Sequence, residues 1–246
     1  MEFHIIATRH QNMALDLFAS QLHNVTEENC HTFVLLSSFI FKINATSIAE
    51  SHRRGQKITA DDVAQSFMLG QGVKSILSLP SAWKWAGSGP LSSILDDIDP
   101  VPHPTGEFIT QIDNLLGLTR AISGGPDAID MRSSCFLAIE SLRHTYATML
   151  AQNTRPGRVW IWPITAPPRF LELISTGNPV ALVILAHYCA LVRCAEGGLW
   201  GLEGWSDGVM AAVDCALNES WKVWIEWPMK CLRERIDITS TDEQLI

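Results

Sequence analysis

The sequence predicts an all-α fold: a single compact domain of seven to nine helices over residues 1–236, followed by a polar, acidic tail at 237–246. Three observations lead there. Apolar residues recur at helical spacing along most of the chain. The alternation that marks a half-buried strand survives only in RVWIW at 158–162. No internal repeat at a fixed period points to a solenoid, which leaves a helical bundle. A chain of 246 residues is long enough to bury a sizeable core.

The elements follow in order. In HQNMALDLFASQLHNV, Met13, Leu17, Phe18 and Leu22 mark one helix face, broadened by Leu15. Thr26 is the expected N-cap of the next helix, with Glu27 and Glu28 in its first turn, where the helix dipole favours acids. Residues 33–43 are apolar on most sides, as a central buried helix requires. RRGQKI is a polar connector, after which Thr59 caps ADDVAQSFMLGQGVKSILSL and Pro80 ends it. The segment 81–108 contains four prolines and three glycines and reads as loop, anchored by Trp83 and Trp85.

Ile109, Ile112, Leu115, Leu116 and Thr119 share a face, GGPD interrupts, and AIDMRSSCFLAIESLRHTYATMLAQN supplies about seven further turns. PPRFLELIST is a short helix opened by proline. Asn178 then caps, and Pro179 begins, the helix of PVALVILAHYCALVRCAE. After the segment GGLWGLEGW, Asp207 is the expected cap of a last helix that runs to Pro228.

Charged residues make up 18% of the chain, below the ~25% usual for soluble domains, and the net charge is −8. That balance predicts neither nucleic acid nor an anionic membrane as a partner. The N-terminus lacks the features of a signal peptide. The apolar run at 180–192 is shorter than the ~20 residues that span a bilayer. An intracellular protein, cytoplasmic or nuclear, is expected. The six cysteines form no CxxC pair and read as buried reduced thiols. HExxH, GxSxG and a GK[ST] phosphate loop are missing, and His4, His10, His23 and His31 lack the spacing of metal ligands, so no metal or cofactor is expected.

Candidate chemistry concentrates late in the chain. His187 interrupts a helix that is apolar around its circumference, either as a neutral core imidazole or as a polar group on a pocket wall. Tyr188 stands beside it. Glu226 lies among Trp224 and Trp227, half-buried with a raised pKa or turned outward. These three are the candidate catalytic groups. Seven of the nine tryptophans follow residue 159. Trp160, Trp162, Trp200, Trp205, Trp224 and Trp227, with Ile184 and Met210, are the candidate lining of an apolar cavity, or else core filling between helices.

The segments HQNMALDLFASQLHNVTEENCHTFVLLSSFIF, WIWPITAPPRFLELISTGNPVALVILAHYCALV, LWGLEGW and WKVWIEWP, in that order, give the chain a family likeness. It resembles the C-terminal regulatory domain of fungal zinc binuclear-cluster transcription factors, most of all the sterol uptake control regulators. The resemblance implies an all-helical domain that dimerises and holds a sterol in an apolar pocket. The apolar helix would line that pocket and the Gly/Trp segment would bend over it. The family's six-cysteine DNA-binding module has no counterpart here. Two functions follow as expectations. One is a cofactor-free enzyme that cyclises or isomerises a terpenoid- or polyketide-like intermediate, or guides a pericyclic step such as a cycloaddition, largely by holding a reactive conformer. The other is a non-catalytic sterol or terpenoid sensor, or a regulator without its DNA-binding module, acting as a homodimer or as a heterodimer with a full-length regulator.

Overall fold

The computed structural model describes residues 24–88, 103–122, 124–151 and 156–240, with positions 9, 13, 16, 17, 20 and 21 besides. Leu15, Phe18 and Leu22 of the expected first helix, the segment 89–102, the last six residues of the tail and the side chain of Trp83 lie outside the described residues.

The described chain is all-helical, with no β-strand among its described residues. Among the described residues eleven α-helical segments with defined bounds follow one another: α1 (Cys30–Arg53), α2 (Ala60–Leu77), α3 (Ala82–Ser88), α4 (Glu107–Ala121), α5 (Ala128–Ala151), α6 (Ile161–Thr165), α7 (Pro168–Ser175), α8 (Pro179–Glu196), α9 (Trp205–Ala216), α10 (Glu219–Lys222) and α11 (Glu226–Glu234). The excess over the expected number comes from short segments.

Local chemistry explains the ends of the helices. Thr59 and Asp62 form a reciprocal capping box at α2: the Asp62 N–H donates to Thr59 Oγ1 at 3.2 Å, and the Thr59 N–H donates to the Asp62 carboxylate at 2.8 Å. Asn178 Oδ1 accepts from the Val180 and Ala181 N–H groups at 3.1 and 3.2 Å, with Pro179 in the first helical position. Thr26 is not a cap. It starts a turn in which its own N–H donates to Asn29 Oδ1, and α1 begins at Cys30.

Two compact units divide the chain: Met1–Phe39 with Gly72–Asp97, and Ile40–Gln71 with Ile98–Ile246. The cause is where the apolar surface of α1 is buried. Its N-terminal half joins a small cluster of Cys30, Phe33, Val34, Val73, Ile76, Ala82 and Ala86, while Phe41, Ala45, Ile48 and Ala49 belong to a separate, larger core.

In the second unit α8 is the central helix. Every residue from 180 to 192 is buried, and α5, α7, α9 and α11 pack around it. By length and apolar composition alone α1 and α8 each suffice to cross a membrane, a test that the buried core helix of a soluble protein also passes. The apolar window of α8 is 83% buried inside the protein, that of α1 39%.

Two further expectations are corrected. RVWIW is no strand: Pro156–Trp160 forms a 3-10 turn that runs into α6. Val159, Trp160 and Trp162 are all buried, so the apparent alternation has no exposed face. The last long helix is also broken. α9 stops at Ala216, and Pro228 sits in the first turn of α11, where its missing N–H costs no helical hydrogen bond. The segment after α11 is held as far as residue 240: the Tyr146 hydroxyl donates to Ile238 O at 3.1 Å, and Asp237 accepts from the Thr239 N–H at 2.9 Å.

Candidate functional site

His187 is buried. Its Nδ1–H donates to the Val183 carbonyl at 2.8 Å, one turn back, which leaves the lone pair on Nε2. Its ring stacks on Trp227 with centroids 5.9 Å apart and planes 15° from parallel. Burial pushes the imidazole down to about 4, against the opposing pull of the Val183 bond, so the ring is neutral near pH 7. Tyr188 is one residue on and therefore ~100° round the helix. Its hydroxyl donates to Val159 O at 3.1 Å, and burial pushes the phenol well up. Glu226 opens α11 with its side chain exposed. The three candidate catalytic groups thus do not converge: one stacks on Trp227, one faces the aromatic core, and one is in solvent.

The candidate pocket residues also divide. Trp160, Trp162, Ile184, Trp205 and Met210 are buried. The rings pack on one another. Trp162 lies 4.3 Å from Tyr188 and 5.6 Å edge-on from Phe170, and donates its indole N–H to Ala138 O at 2.8 Å. Trp205 meets Phe67, Trp160 and Tyr188 at about 6 Å between centroids. Trp227 is half-buried between Phe108 and His187. Trp224 is on the surface, and Trp200 is 95% exposed.

Why the turn before α9 is rich in glycine follows from its neighbours. Gly201 and Gly204 have φ of 83° and 84°, the left-handed region in which a side chain is strained. A Cβ on Gly201 would stand 2.9 Å from the Thr46 methyl. One on Gly208 would stand 2.8 Å from His52 Cβ and 2.9 Å from Ile58 Cδ1. The glycines make room for α1; the resemblance had them bending over a ligand. Helix propensity alone favours Gly208→Ala by ~1 kcal/mol. The contact with the stem of His52 reverses the sign, and the expected net result is a loss of about 1–2 kcal/mol, read as a lower urea midpoint.

Hydrogen bonds and ion pairs fix the same turn. The Glu196 carboxylate accepts from the Ser206 N–H at 2.7 Å, from Gly204 N at 3.4 Å and from Arg193 Nη1 at 3.0 Å. Arg193 also pairs with Asp207. Arg53, at the end of α1, donates to Glu203 O at 2.7 Å. Asp207, expected as a cap, acts instead as the outer partner of Arg193. Sequence reading passed over Arg193, Glu196, Arg53, Thr46 and His52. The one legible signal was RCAE at the end of an apolar helix: two charges three residues apart, followed directly by glycines.

All six cysteines are free. Burial pushes the thiols of Cys135 and Cys194 up to about 12 and that of Cys231 up to about 11. Cys215 alone among the six is exposed.

Comparison with family models, with curated proteins and with solved structures finds no match.

Proposed function

We propose that this chain is a non-catalytic association module that pairs with a second copy of itself. The observation that carries the reading is Trp200, an almost fully exposed indole at the tip of a turn held by Glu196, Arg193 and Arg53. A large apolar ring left in water on an immobilised turn is the usual anchor of a protein contact: it buries much area and loses little side-chain entropy.

Its surroundings favour a like partner. Gly201, next in sequence, lies over Thr46, and Ile43 is one turn earlier on the same face of α1 and 52% exposed. A two-fold pairing sets each Trp200 against the other copy's Ile43, so that one patch serves both sides. The dimerising regulatory domains that the sequence resembles lend the same support. The enzyme reading draws less from the geometry, because His187, Tyr188 and Glu226 do not share one reacting position.

Sedimentation of the purified chain tests this. The expected result is a monomer–dimer equilibrium below about 100 μM, weakened at least about tenfold by Trp200→Ser with an unchanged melting curve. A parent chain that sediments as monomer throughout, or a folded Trp200→Ser that dimerises as well as the parent, overturns the proposal.

A further inference from the structure

The C-terminal half of α1, the connector and the first turns of α2 border a concavity of about 290 Å³ within the second unit, open to solvent along its polar rim. That is the lower end of the ~300–1,000 Å³ range of small-molecule sites, room for a single ring with substituents. Ile48 and Ile58 are buried beneath it as an apolar floor. Around them stand polar groups on three walls. Asn44, Ser47 and Ser51, spaced three and four apart, share one face of α1. Asp62 and Gln65, three apart, share one face of α2. Gln56 and Lys57 come from the connector between them.

The chemistry of this lining selects a ligand class. The carboxamides of Asn44, Gln56 and Gln65 and the hydroxyls of Ser47 and Ser51 make no side-chain hydrogen bond to another described residue, so both their donors and their acceptors are uncommitted. Asp62 is engaged on one side by Thr59, through both its N–H and its hydroxyl. One cation, Lys57, and one carboxylate, Asp62, leave the rim without a net charge to attract an ion. Amides and hydroxyls are each donor and acceptor at once, as is every hydroxyl of a sugar. The aliphatic side chains of Ile48 and Ile58 suit the C–H face of a saturated ring.

We infer that this groove binds a neutral, single-ring polyhydroxylated molecule of the monosaccharide or cyclitol class. None of its lining residues belongs to the Trp200 turn, and the assignment does not rest on self-pairing. Titration of the full chain with glucose and with myo-inositol, followed by amide chemical shifts, provides the test. Saturable shifts are expected at Ser47, Ser51 and Gln65 with at least one of the two probes. Asn44→Leu/Gln65→Leu should weaken binding about tenfold, as the loss of two neutral hydrogen bonds implies. Gln56→Ala, an exposed change in the connector, gives a smaller loss in the same direction and serves if the double variant does not fold. Two results overturn the assignment: no saturable shift with either probe up to about 50 mM, or binding that is the same in every folded variant.

Discussion

Glu196→Ala unfolds at a lower denaturant concentration than the parent, with a loss of about 3 kcal/mol. The reasoning starts from what the carboxylate satisfies. Its side chain is only 5% exposed and sits between the guanidinium of Arg193 and the N–H groups at the start of α9. Removing one member of a buried ion pair leaves the other charge in a poor medium, which costs about 3–5 kcal/mol. The lower end applies, because Arg193 is 15% exposed and keeps Asp207 as a partner. The Ser206 N–H, buried with its residue, loses its acceptor as well. Glu196→Gln retains an oxygen for Ser206 and gives up only the charge, so it should fall between alanine and the parent. A Glu196→Ala protein within about 0.5 kcal/mol of the parent would show that the turn is held by other contacts.

Acidification should destabilise the fold through His187 before the carboxylates titrate. The buried ring has a value of about 4 against an ordinary 6.5, so the unfolded chain takes up the proton first as the pH falls. The contribution is fully present above pH 6.5 and is lost down to about pH 4, at ~1.4 kcal/mol per pH unit, on the order of 3 kcal/mol in all. Burial causes the shift, so a ring of similar shape that does not titrate should abolish it. His187→Phe retains a ring to stack on Trp227 and should flatten stability against pH between 6.5 and 4. Urea midpoints at several pH values measure this directly. An unchanged slope in the variant would assign the acid sensitivity to other groups.

How much of this was legible in the sequence differs by level. Helix type and order could be read because periodicity and capping are local: Thr59 with Asp62, and Asn178 with Pro179, act within one turn. Boundaries failed where tertiary packing decides. Trp160 and Trp162 alternate along the chain, yet both are buried against Phe41 and Tyr188, and so they read as a strand. Pro228 looked like a stop because a proline ends a helix it follows and opens one it precedes, and only the break at Leu217 and Asn218 tells the two apart. The candidate site was harder to read. Composition marks indoles as large and apolar, but whether a ring faces a cavity, another ring or water depends on partners far away in sequence. Trp162 and Trp200 look alike on paper and lie at opposite extremes of exposure. The glycines at 201 and 208 were visible as glycines. That they yield space to Thr46 and His52, some 150 residues earlier, was not.

The uneven burial of the thiols has a practical consequence. Four of the six cysteines are buried and Cys194 is half-buried, while Cys215 stands open on α9, the helix that follows the Gly/Trp turn. A maleimide dye added to the native protein in substoichiometric amount will settle on that one atom without any engineered cysteine. Energy transfer between two copies labelled there reports their proximity, and brightness or quenching during unfolding reports on α9 alone.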